Sequence, residues 1–260
     1  MELEREHERK TYFLCQLGFG ILAGALIVAC FTELVSLPRM LLGGGKFNWL
    51  FSTKIWQWLD TPVVFGCLIG WYLLFGRWRE TSWQRRTGLL VVMGIIDACL
   101  WLAHHSDELG LQTGVIGHEW FRMNLGHALG WAEIVLVATI ASDLLVHLGI
   151  EQASEAGKAT RSLAASGLTL WVVFLCITTN WRAGGPPLGF GPLLLDLVRL
   201  LYMGSTLIWT VVLLQATALS IAATKRCAQT LKEMDEEDRQ NDPLRSASDR
   251  EYASHFGDRF

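Results

Sequence analysis

Six apolar runs follow one another along the chain, separated by short polar, glycine- or proline-bearing stretches, at about 12–37, 55–76, 87–103, 124–148, 162–181 and 193–224. A hydrocarbon layer about 30 Å thick takes about 20 helical residues at 1.5 Å each, so every run is close to one crossing. None alternates with the period of two that a barrel strand would show. Lipid offers the backbone no hydrogen-bond partners, so each run is expected to be a helix. The expected fold is therefore all-α: a polytopic membrane protein, a bundle of six transmembrane helices. Pro38 is expected to stop the first helix, Asp60 and Pro62 to open the second, and Gly191-Pro192 to start the sixth.

Small residues recur at four-residue spacing in Gly20/Gly24, Gly66/Gly70 and Gly126/Gly130, the pattern by which helix backbones approach closely in lipid. The loop 39–54 carries three consecutive glycines and then Trp49 and Phe51, continuing into Trp56 and Trp58, and reads as a turn followed by an interfacial aromatic segment. Residues 184–192 form a glycine- and proline-rich connection. The tail 225–260 holds 16 charged residues in 36 and is expected to be a short helical extension followed by a largely disordered cytoplasmic segment. Its acidic stretch, 233–238, reads as solvated, with docking of a partner as the alternative.

Composition supports the membrane reading. Of 260 residues, 51% are hydrophobic and only 18% charged, with 12 Trp and 12 Phe. A net charge of -3 offers no basic field for nucleic acid, which leaves the bilayer as the first partner and proteins, through the tail or the outer aromatic loop, as further ones. With both termini cytoplasmic, twelve Lys and Arg flank the inner side and five the outer, so the positive-inside rule places both termini in the cytoplasm. Ile27-Val28-Ala29-Cys30 resembles a lipoprotein cleavage box, but cleavage would remove the first span and move the amino terminus outside, so the span is expected to be retained. No Asn-x-Ser/Thr sequon occurs, which favours a bacterial inner membrane over a glycosylated surface. Six cysteines without a Cys-x-x-Cys pair read as packing residues.

Ionisable residues at membrane depth are costly, about 2.5 to 3.5 kcal/mol each at a helix centre, and mark function by default. In the expected topology Glu33, Asp60, Asp97 and Glu133 all lie toward the outer side, as do Asp196 and Arg199, which can pair on one helix face. The acids should face one another or line a wet cavity open to the outside. Asp97, His104 and Glu108, spaced seven and four apart, would share a stripe if the third helix continues outward. Glu119, Met123 and His127, spaced four and four, would share another leading into the fourth. His104, His105, His118, Glu119 and His127 therefore form a candidate metal set, and His104, His105 and His127 candidate ligands of a b-type haem. On the inner side Asp143 and His147, four apart, are expected to pair, with a proton relay as the alternative.

No Gly-x-Ser-x-Gly elbow, His-Glu-x-x-His helix or phosphate-cradling loop occurs, which points away from an enzyme. Three functions fit the pattern. The first is a module holding a metal ion or haem in the outward-facing His/carboxylate site. The second is a small proton-coupled transporter using Glu33, Asp97 and Glu133, and the third a non-catalytic scaffold or accessory subunit.

Overall fold

The computed structural model describes residues 2–41, 58–78, 80–105, 119–184 and 191–241. They form six helices, α1 (Glu2–Leu41), α2 (Asp60–Leu74), α3 (Thr81–His104), α4 (Glu119–His147), α5 (Gln152–Gly184) and α6 (Gly191–Asn241), with no strand among them. All but α2 are long and apolar enough to cross a membrane; α2 is an apolar helix of 15 residues. Residues 42–57, which hold most of the aromatic loop expected at 39–54, residues 185–190 of the glycine- and proline-rich connection and the last segment of the tail, 242–260, lie outside the described residues.

Five helices close a ring in the order α1, α2, α3, α4, α6, and α5 packs on the outside against α4 and α6. Burial of the apolar stretches is greatest in α4, at 61%, and least in α5, at 22%. The core runs through Phe19, Leu22, Trp71, Leu90, Trp131, Leu144 and Leu213. Large apolar side chains meanwhile point outward from the ring: Phe13, Leu17, Ile27, Phe31 and Leu34 from α1, Val92, Ile95 and Ile96 from α3, Leu207, Val211 and Leu214 from α6. Such a girdle is far larger than a water-exposed monomer carries and suits lipid. Hydroxyls inside the spans are satisfied within their own helix, as where Thr217 Oγ1 donates to Leu213 O at 2.7 Å and Ser220 Oγ to Ala216 O at 2.9 Å.

Close backbone approach occurs at only some of the expected glycines. A Cβ on Gly70 would lie 2.6 Å from Leu22 Cγ and 3.0 Å from Gly18 O, and one on Gly66 3.0 Å from Ala25 Cβ, so the α1–α2 crossing depends on both. Gly130 abuts Trp209, whereas Gly24 and Gly126 face open space. The tightest α4–α5 and α2–α3 contacts use glycines outside those pairs: Gly167 against Trp131 and Gly94 against Trp71.

Two turns at the end of the bundle that holds the termini explain the reversals there. Gly149, at φ +86°, closes α4: its N–H donates to Val146 O at 3.0 Å and that of Ile150 to Leu145 O at 2.9 Å, the paired bonds of a left-handed glycine stop. After α2, Gly76 takes φ +69°. The last carbonyls of α2 accept from side chains, Leu73 O from Arg77 Nε at 3.2 Å and Leu74 O from Trp83 Nε1 at 3.1 Å.

Several helix ends differ from the expected spans. The first helix passes through Pro38 to Leu41 instead of stopping there. Helices α3 and α5 begin before their apolar runs, in polar turns containing Arg85 and Arg86 and Glu155, Lys158 and Arg161. The largest difference is in the tail, where α6 continues without a break to Asn241, well beyond the short extension expected after Thr224. Its acidic stretch meets the start of α1: Arg9 Nη2 lies 2.6 Å from both Asp235 Oδ1 and Asp238 Oδ2, and Arg5 reaches Glu237 at 2.6 Å and Asp238 at 3.0 Å. The 40 residues of α1 and 51 of α6 make rods of about 60 and 75 Å, so an antiparallel pair extends past a 30 Å layer on that side. These pairs are solvent-exposed, and Arg9→Ala is expected to cost no more than about 1 kcal/mol while speeding amide exchange over residues 235–241. Exchange as slow as in the wild type would show that the ion pairs do not hold the segment.

Candidate functional site

At the end of the ring remote from the termini, the five helices part around a partly open cavity of about 600 Å³. Each contributes one face at helical spacing. From α1 come Leu22, Leu26, Ala29 and Glu33; from α2, Asp60, Val63, Cys67 and Trp71; from α3, Asp97, Trp101 and His105; from α4, His127, Gly130 and Glu133; and from α6, Trp209 and Leu213. Asp60 opens α2, where a carboxylate complements the positive helix end.

Four carboxyl groups and two imidazoles thus share one space, and no Lys or Arg is among the described residues that line it. Glu33 is engaged, since Trp209 Nε1 donates to its Oε1 at 3.2 Å. Trp209 in turn packs edge-on against Trp131 at 4.8 Å between ring centroids. Asp97 is within Coulombic reach of Glu133, across the α3–α4 interface. Glu133 is 8% exposed and its Oε1 has no hydrogen-bond partner among the described residues. Trp71 Nε1 and Trp101 Nε1 are likewise buried without acceptors. An isolated polar group of this kind costs about 1 to 3 kcal/mol, so three in the walls of one cavity call for a complementary occupant or water.

His105, 4% exposed, lines the cavity just past the end of α3. Its ring stacks on Trp101 at 4.4 Å and 25° and lies 5.1 Å from Trp58, and its Nδ1 donates to Trp101 O at 3.0 Å. His127, on the neighbouring α4, lies 6.0 Å from Trp171 of α5.

The structure therefore brings together Glu33, Asp97, Glu133, His105 and His127. His118 lies outside the described residues, as do the side chains of His104, Glu119 and Arg199, so the expected Asp196–Arg199 pair also falls outside them. Among the described residues, no three His, Cys, Asp or Glu side chains come together to hold a metal ion. The other pair is re-sorted. Asp143, expected to meet His147, makes an ion pair with Arg86 of α3 instead. His147 stands edge-on to Trp78 at 4.8 Å, beside His7 and Arg77 in a smaller pocket near the termini. Arg86 is 57 residues from Asp143 in sequence, and only the α3–α4 packing brings them within reach.

Spacing along one helix could not single out the aromatic walls, Trp71, Trp101 and Trp209, or Cys67. Asp97, Trp101 and His105 do form a four-residue stripe that the sequence carries openly, one register away from the stripe through His104. No family model, curated protein or solved structure matches the chain.

Proposed function

We propose that this integral membrane protein is a proton-linked solute carrier whose binding site is the cavity at the far end of the ring. The observation that carries the reading is the convergence of Asp97 and Glu133, from facing helices, in one cavity without a basic side chain among its described lining residues. Two carboxyl groups in a poorly hydrated space repel one another unless a proton or a bound cation stands between them. Exchange of one for the other is the elementary step of proton-linked binding. Glu33, held by Trp209, and Asp60, at the helix start, then set the field around that pair.

Sidedness comes from the charge bias: with Lys and Arg crowded at the end that holds both termini, that end is cytoplasmic and the cavity opens outward. A bacterial inner membrane fits the lack of sequons. A resident metal ion has less support, because no set of three candidate ligands forms among the described residues. The scaffold reading leaves the orphaned polar atoms in the cavity walls without a purpose.

Cys67, which lines the cavity, reports on this directly. Oriented membrane vesicles carrying the full chain are treated with a membrane-impermeant methanethiosulfonate from either face, and labelled cysteines are mapped by peptide mass spectrometry. Cys67 is expected to react from the extracytoplasmic face, and from the cytoplasmic face in a fraction that changes with pH in the wild type but not in Glu133→Gln. Labelling from one face only at every pH would leave a static pocket and discard the carrier.

A further inference from the structure

The solute class can be read from the walls, on the assumption that the cavity is the binding site proposed above. We infer that the cavity takes an organic monocation, a protonated amine attached to an aromatic or other flat apolar body. The ammonium would sit between Glu133 and Asp97 and the apolar body against Trp71 and Trp101.

Several observations converge on this class. The carboxyl groups come from four different helices and no Lys or Arg is among the described lining residues, so the site favours positive charge. Glu133, 8% exposed, presents an oxygen that has no hydrogen-bond donor among the described residues, and an ammonium group supplies up to three. A bare metal ion needs several oxygen or nitrogen ligands at short range, and no such set of three forms among the described residues. Finally, most of the wall is apolar or aromatic: Leu22, Leu26, Val63, Trp71 and Trp101 could cover a hydrocarbon body, and indole faces attract cations. The indole N–H groups of Trp71 and Trp101, both without acceptors among the described residues, would also accommodate an oxygen substituent on that body. A cavity of about 600 Å³ falls within the 300–1,000 Å³ range of small-molecule sites and is too large for an inorganic cation alone.

The probe is radiolabelled 2-phenylethylammonium, added to the purified full chain in detergent and displaced by unlabelled benzylammonium, 3-phenylpropylammonium, 2-phenylethanol and 3-phenylpropanoate. Saturable binding is expected, with the ammonium ions displacing the label at concentrations about tenfold or more below the neutral alcohol, and the carboxylate ineffective. Glu133→Gln is expected to weaken binding about tenfold or more. Gly126→Leu fills the cavity from a position where an added Cβ meets nothing within 4 Å, so it should fold and still lose the site. Both variants are checked by size-exclusion profile. Absence of saturable binding, equal displacement by the alcohol, or wild-type affinity in either well-folded variant would overturn the inference. Binding without pH-dependent Cys67 exposure would retain the cation site and remove the carrier; the reverse result would retain the carrier and remove the amine.

Discussion

Leucine in place of Glu133 is expected to make the purified protein more stable, by about 1 to 3 kcal/mol, while abolishing proton-linked binding. The sign follows from what surrounds the side chain. Glu133 is 8% exposed, one of its oxygens has no partner among the described residues, and the charged neighbour acting on it among those residues is another acid, Asp97. Leucine is larger by about one methylene, which the adjoining cavity can take up, and has a similar helix propensity, so the exchange removes the desolvated carboxyl without a backbone penalty. Glu133→Gln serves as the control, because it removes the charge but keeps a polar atom in want of a partner and should therefore recover only part of the gain. The measurement is thermal unfolding in detergent, followed by intrinsic fluorescence without ligand. For a chain of this size a gain of 1 kcal/mol amounts to about 2 to 4 °C in Tm. A loss of stability on Glu133→Leu would mean that the carboxyl is well satisfied in the empty protein, and the site argument built on it would fall. A residue kept at a cost to stability is what a functional site requires.

The sequence made the number and order of the helices legible because lipid imposes a length and a hydrogen-bonding rule that no tertiary detail overrides. It also made the gathering of Glu33, Asp97 and Glu133 legible, since alternating topology alone sends all three toward the same end. Pairing across helices was not legible. Asp143 had His147 four residues away and Arg86 on another helix, and the rotation of α4 against α3 decided for Arg86. The same limit applied to the glycines: Gly66 and Gly126 stand in identical small-xxx-small patterns, yet one touches Ala25 and the other faces the cavity. The tail misled for a different reason. Its composition reads as a short helical extension followed by a disordered segment, with the acids solvated, but the helix runs to Asn241 and acids at 235, 237 and 238 find Arg5 and Arg9 on a neighbouring helix, a partner that a composition reading has no view of. Trp71 and Trp101 could not be assigned to the site for the same reason, since a tryptophan in a membrane span is ordinary until its neighbours are known.

The α1–α2 crossing is where a single methyl group should matter most. Gly18 and Gly70 face each other: a Cβ on Gly70 would come 2.6 Å from Leu22 Cγ and 3.0 Å from Gly18 O, and one on Gly18 3.0 Å from Leu74 Cγ and 3.1 Å from Gly70 O. Leucine side chains could rotate away, but a helix carbonyl cannot move without shifting the whole element. Alanine in a helix is worth up to about 1 kcal/mol over glycine, and overpacking costs about 1 to 3 kcal/mol, so Gly70→Ala is expected to be destabilising on balance. Gly70→Leu is expected to exceed about 3 kcal/mol and to push α2 off α1. Because α2 carries Asp60, Cys67 and Trp71, that displacement also opens one wall of the cavity, so ligand binding should fail in any Gly70→Leu protein that still inserts. Gly24→Ala, where an added Cβ meets nothing within 4 Å, isolates the propensity gain and should be neutral or slightly stabilising. Unfolding in mixed detergent compares the three variants. Gly70→Ala at or above wild-type stability would show that the two backbones do not approach as closely as the crossing requires, and the ring would then have to close around a differently shaped space.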